Sequence, residues 1–164
     1  AQFKQAMSEI KCDERGRWTI EGKTGVQDLK VEISEPKQQV EIRDLKDCVV
    51  TVVGKCTSIM VASCTGSAVI FDEVIGSVEV TRCKKFQLQA NGTVPQIQID
   101  LSSGLTVYFQ SFHGCNVVTS LSDEVNCIFS TPDSEEEPLE QPVPYQFLSK
   151  MVDGKFVTVP ADHV

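Results

Sequence analysis

Apolar residues return along this chain at a fixed step of nineteen. Val31, Val50, Val69, Leu88 and Val107 form one such column, and Ile33, Val52, Phe71, Ala90, Phe109 and Ile128 form a second. Out of phase with these by about nine residues, Val40, Ile59, Val78 and Ile97 make a third, and Ile42, Val61, Val80, Ile99 and Val118 a fourth. Within each run the apolar positions lie two apart with polar residues between, as in Val40-Glu41-Ile42 and Ile97-Gln98-Ile99, which is the alternation of a half-buried strand. Each period therefore holds at least two short strands. β-Branched residues dominate them, and the connectors carry turn formers, as in Gly54-Lys55, Asp72-Glu73, Asn91-Gly92 and Ser102-Ser103-Gly104.

Short strands at even spacing also build antiparallel sandwiches. A sandwich does not require equivalent side chains to return at one step through five or six units, whereas stacked coils require just that. The pattern predicts an all-β fold, a right-handed parallel β-helix over residues 29–130. About five coils fit there, on the order of 25 Å tall at a strand spacing of about 4.8 Å.

Both ends depart from the repeat. Residues 1–28 form a lead-in and cap, with Trp18 and Ile20 placed over the first coil. Five of the seven prolines follow Thr131, and Asp133, Glu135, Glu136, Glu137 and Glu140 crowd the same stretch, so residues 131–144 are expected to form an extended, solvated linker. In residues 145–164 two apolar runs flank Asp153-Gly154, a pair suited to a tight hairpin turn. A lone hairpin is scarcely stable in water, so this one must pack on its own helix or on that of another copy. Exchange between two copies gives a dimer, with Phe147, Val152, Phe156, Val157 and Val159 as the contacts.

Composition narrows the chemistry. A chain of 164 residues, 41% hydrophobic, buries one core. Its apolar runs fall far short of the roughly 20 residues of a membrane span, and nothing resembles a secretory signal. The missing initiator Met points to further sequence upstream of Ala1. A net charge of -8 argues against nucleic-acid binding, which depends on Lys and Arg. The seven cysteines, Cys12, Cys48, Cys56, Cys64, Cys83, Cys115 and Cys127, are odd in number and lack a C-x-x-C pair. The setting is read as reducing and cytosolic, with Cys64 and Cys83 as stacked free thiols one period apart. No metal or cofactor is expected, His113 and Cys115 being only an isolated pair. Neither His113 nor His163 has a partner suggesting a triad, and the acidic neighbours Asp72-Glu73 and Asp123-Glu124 would point to opposite faces of a strand, so no catalytic residue is assigned.

The residues resemble a known family at several places: Gly54-Lys55 followed by Ser58-Ile59; Val69-Ile70-Phe71-Asp72 with Gly76 and Val78-Glu79-Val80; Val94-Pro95-Gln96-Ile97-Gln98-Ile99-Asp100; and Pro142-Val143-Pro144 with Gln146-Phe147 before Asp153-Gly154-Lys155. These are similar to the C-terminal, or CARP, domain of cyclase-associated proteins, from Trp18 to about Thr158. The resemblance implies a β-helix that dimerises through its C-terminal hairpin, binds ADP-bound actin monomers (G-actin) and promotes exchange of ADP for ATP in the cytoplasm. It implies no enzyme. A link to adenylyl cyclase would lie in an N-terminal region outside this chain. Tyr145 stands where the family usually has Glu, Phe109-Gln110-Ser111 replaces an expected Leu-Ser-Lys, and the tail ends Pro160-Ala161-Asp162-His163-Val164.

Lys55, Asp72, Lys84, Lys85 and Asp100 lie in or beside turns, and successive coils are expected to align them along one edge as the actin surface. The alternative is a GTPase-activating protein of the tubulin cofactor C type. Arg43 and Arg82 are near strands, but neither has that family's Gln-x-Arg setting. A carbohydrate-active β-helix enzyme ranks last.

Overall fold

The computed structural model describes residues 10–110, 114–130 and 135–161. His113, His163 and Asp133 lie outside them. The described residues form thirteen strands: β1 (Arg17–Glu21), β2 (Leu29–Glu32), β3 (Gln39–Arg43), β4 (Val49–Ala62), β5 (Ala68–Thr81), β6 (Lys84–Ala90), β7 (Gln96–Asp100), β8 (Ser103–Phe109), β9 (Asn116–Ser120), β10 (Asp123–Phe129), β11 (Leu139–Pro142), β12 (Phe147–Val152) and β13 (Lys155–Pro160). The first ten pair only in parallel with one another and wind into a β-solenoid of about six turns.

Two faces alternate along the chain. Face one stacks β1, β3, the second halves of β4 and β5, then β7 and β9; face two stacks β2, the first halves of β4 and β5, then β6, β8 and β10. Inward side chains form ladders, one of them running Leu29, Val50, Val69, Leu88, Val107, Cys127. Beside it Val31, Val52, Phe71, Ala90, Phe109 and Phe129 stack, ending in parallel rings with centroids 4.9 Å apart. Such columns bury apolar area without any hydrophobic residue needing a partner from far along the sequence.

The ladder departs from the nineteen-residue columns at both ends. The first coil is longer, so Val50 stacks on Leu29 and Val52 on Val31, while Ile33 leaves the ladder. An even slip keeps Val31 inside. The last coil is longer by one residue, and an odd slip reverses every side chain. Val117 and Thr119 therefore continue the inner columns of face one, and Val118 is exposed. Likewise Cys127 and Phe129 point inward where Ile128 was expected.

The stack also extends beyond the repeat. β1 is a full rung, with Trp18 on Val40 and Ile20 on Ile42. Gln38, 7% exposed, ties this coil together: its Oε1 accepts from Trp18 Nε1 at 3.0 Å and from the Ser34 N–H at 3.1 Å, and its Nε2 donates to Ser34 Oγ at 2.9 Å. Past the last coil, β11 runs antiparallel along β10, covering the open edge of face two. Pairing wins there over the extended habit of the proline-rich stretch because Leu139, Glu140 and Gln141 precede Pro142 and keep their N–H groups.

Candidate functional site

Each passage from face one to face two turns through a corner with two residues at positive φ, three apart. Gly22 and Gly25, Asp44 and Asp47, Ser63 and Gly66, Arg82 and Lys85, Leu101 and Gly104, and Leu121 and Glu124 repeat it through six coils, all with φ between 50° and 74°. Main-chain bonds between coils fix the turn. Asp44 N donates to Ala62 O, Ser63 N to Thr81 O, Arg82 N to Asp100 O and Leu101 N to Ser120 O, at 2.9 to 3.1 Å. The residue after the first left-handed position points inward, giving the column Leu45, Cys64, Cys83, Ser102. The buried Ser102 hydroxyl accepts from the Cys83 N–H at 3.0 Å, as Ser67 Oγ does from Cys48 N. Cys64 and Cys83 are free thiols, and contact with the Cys83 thiol together with burial pushes the Cys64 thiol far up.

Sequence reasoning put Ser102-Ser103-Gly104, Lys84 and Lys85 in or beside turns but missed the paired left-handed positions, because Arg82, Lys85, Leu101 and Leu121 are not usual residues for them. The Gly22/Gly25, Asp44/Asp47 and Ser63/Gly66 pairs carry the signal, which propagates at the coil period.

The five candidate partner residues divide between two edges rather than lining one. Lys84 and Lys85 belong to this corner, and Asp100 ends β7 just before it, its Oδ2 accepting from Gln98 Nε2 at 3.1 Å. Lys55 and Asp72 lie at the opposite corner, between face two and face one. There Lys55 Nζ is 3.5 Å from Glu73 Oε1, and Asp72 Oδ2 accepts from the Gly54 N–H at 2.7 Å. The phase of the repeat causes the split, because nineteen residues make a full turn and Lys55 is about half a turn from Lys46 and Thr65. Asp72 and Glu73 are thus each engaged with a different neighbour. Among the described residues no group of three or more His, Cys, Asp or Glu could hold a metal ion.

The hairpin forms where expected, with Phe147 opposite Pro160, Met151 opposite Phe156 and Val152 opposite Lys155. It is a separate two-stranded sheet, and among the described residues no ladder joins it to the solenoid. Phe147, Met151 and Phe156 share one side of the ribbon, and Leu148, Val152, Val157 and Val159 share the other, all exposed. Leu148 and Met151 join the five residues expected from sequence. Among the described residues no helix is long and apolar enough to cross a membrane.

The family model "Adenylate cyclase associated (CAP) C terminal" matches residues 6–163. This chain belongs to the cyclase-associated protein C-terminal family. It is 29% identical over 150 residues to cyclase-associated protein 1 of Arabidopsis thaliana, covering 90% of this chain and 31% of that one. It is 32% identical over 143 residues to adenylyl cyclase-associated protein 1 of Bos taurus, covering 87% and 30%. The chain therefore spans about a third of the curated relatives it matches. The crystal structure of cyclase-associated protein from Cryptosporidium parvum is similar with a TM-score of 0.85 at 25% identity, covering 93% of this chain and 94% of that one.

Proposed function

We propose that this domain binds actin monomers in their ADP-bound state and promotes exchange of ADP for ATP, as a non-enzymatic cytoplasmic module working as a homodimer. The observation that carries the reading is the match of a single family model to residues 6–163. The module acts by differential affinity, preferring a state of actin from which the nucleotide leaves readily. The two-sided apolar ribbon of β12 and β13 supports the dimer, since exposed apolar surface of this kind is unusual in monomers. Pairing with a second copy would cover it. Any link to adenylyl cyclase belongs to parts of the relatives that this chain does not span.

The test is the rate at which a fluorescent ATP analogue replaces ADP on purified actin monomers, with and without this chain. A rise in rate is expected. Binding without a rise would assign exchange to segments outside this chain, and absence of binding would favour the GTPase-activating alternative.

A further inference from the structure

In the fourth coil the first corner carries Arg82, Lys84 and Lys85, all exposed. None of the three is in an ion pair among the described residues, although Arg17, Lys30, Lys37, Arg43 and Lys55 each have one. The same corner one coil below holds Ser63, Thr65 and Gly66, and one coil above it holds Leu101, Ser103 and Gly104. Asp100 ends the strand before that upper corner, and Asp47 and Glu124 lean over Gly66 and Gly104 from the coils beyond, yet none of these acids forms an ion pair with the three cations. Three cations without an ion pair within four residues stand out in a chain of net charge -8.

A second, independent feature adjoins them. Leu101 and Leu121 occupy the left-handed position of the fifth and sixth coils with φ of 53° and 50°, and are 42% and 83% exposed. Leucine is poorly suited both to that backbone and to that exposure. Coils one to three fill the same position with Gly22, Asp44 and Ser63, so the fold does not demand it. Strain combined with apolar exposure marks a surface kept for contact. An open groove runs along it, lined by Lys84, Leu101, Leu121 and Tyr145, with Asp123 at its far end.

We propose that this groove docks an acidic segment of the actin monomer. Its carboxylates meet Arg82, Lys84 and Lys85, and an apolar side chain beyond them lies on Leu101 and Leu121 against Tyr145. Asp123 and Glu124 repel further acid at the sixth coil, which fixes the segment's direction along the stack. The inference rests on the actin reading above and adds to it the contacting surface and the chemistry of the bound segment. Charge sets the encounter rate and register, and the leucines and tyrosine supply the desolvated contact.

The experiment is a fluorescence titration of ADP-actin monomers against the wild-type chain, the double variant Arg82→Glu/Lys85→Glu, and the double variant Leu101→Gly/Leu121→Gly, across a salt series, with sedimentation velocity on each. Charge reversal is expected to weaken binding roughly ten-fold at low salt and to flatten its salt dependence. The glycine variant is expected to bind roughly ten-fold more weakly while keeping or raising its melting temperature, because glycine takes left-handed φ without strain. Wild-type binding matched by both variants overturns the docking proposal alone, whereas failure of the wild type to bind actin overturns the reading beneath it as well. Variants that alter self-association but not actin affinity would give the groove to a second copy and overturn the proposal.

Discussion

The Asp72 carboxylate accepts a hydrogen bond from the Gly54 N–H in the coil below, at 2.7 Å. Gly54 has a φ of +99°, and a Cβ there would come within 3.2 Å of Ile33 Cβ and Ile33 O, so the turn needs both the glycine and a partner for its N–H. Asp72→Ala should therefore lower stability by about 1–3 kcal/mol in urea unfolding. Asp72→Asn, which keeps an acceptor, should lose less. Unchanged unfolding with lost actin binding would instead make Asp72 a partner residue.

Gly92 belongs to the same corner one coil on. A Cβ at Gly92 would lie 2.5 Å from Asp72 O and 3.0 Å from Asp72 C, both main-chain atoms that cannot swing aside. Gly92→Ala should cost about 2–3 kcal/mol by forcing two coils apart. Differential scanning calorimetry of the two proteins checks this, and an unaltered melting temperature would contradict the close approach.

Burial pushes the Cys56 thiol up to about 11 from an ordinary 9.0, and that of Cys127 likewise to about 11. A raised folded pKa means the neutral thiol is favoured in the native state, so its contribution is complete below the unfolded value and is lost as pH rises through the folded one. Stability should decline between about pH 9 and pH 11, by about 2–3 kcal/mol for each such thiol. Cys56→Ala should decline less over that window than wild type. Parallel curves for the two proteins would rule out a thiol contribution.

Phe156 is 71% exposed on the hairpin and opposes Met151. Phe156→Asp, and separately truncation after Pro144, should yield monomers in sedimentation velocity while the solenoid's unfolding midpoint stays close to wild type. A persistent dimer in both would remove the hairpin from the interface.

Much of this fold is legible from apolar columns because a parallel stack places Val50, Val69, Leu88 and Val107 on top of one another, leaving an unbroken period. The period fails where coils change length. Longer connections put Leu29 rather than Val31 under Val50, and one additional residue before β9 turns Val118 outward. Hydrophobicity alone cannot place those slips, since Val117 and Val118 are equally apolar. The candidate surface was less legible for a different reason. Lys55 and Lys84 look alike as charged turn residues, but which corner each occupies depends on the phase of the coil, and whether each is paired depends on Glu73 reaching Lys55. The left-handed turns at Arg82, Leu101 and Leu121 become visible only after the pattern at Asp44 and Asp47 is carried forward coil by coil.

Those corners also separate two tasks that most loops combine. Their course is held by main-chain bonds from each rung to the next, such as Ser63 N to Thr81 O and Arg82 N to Asp100 O, so the outward side chains carry little of the burden of shape. The edge is in effect a ruler with marks about 4.8 Å apart, on which charge, leucine or glycine can be written at one mark without rewriting the others. Related chains could thus acquire different binding partners by changing a few letters on this edge while their core columns stay the same.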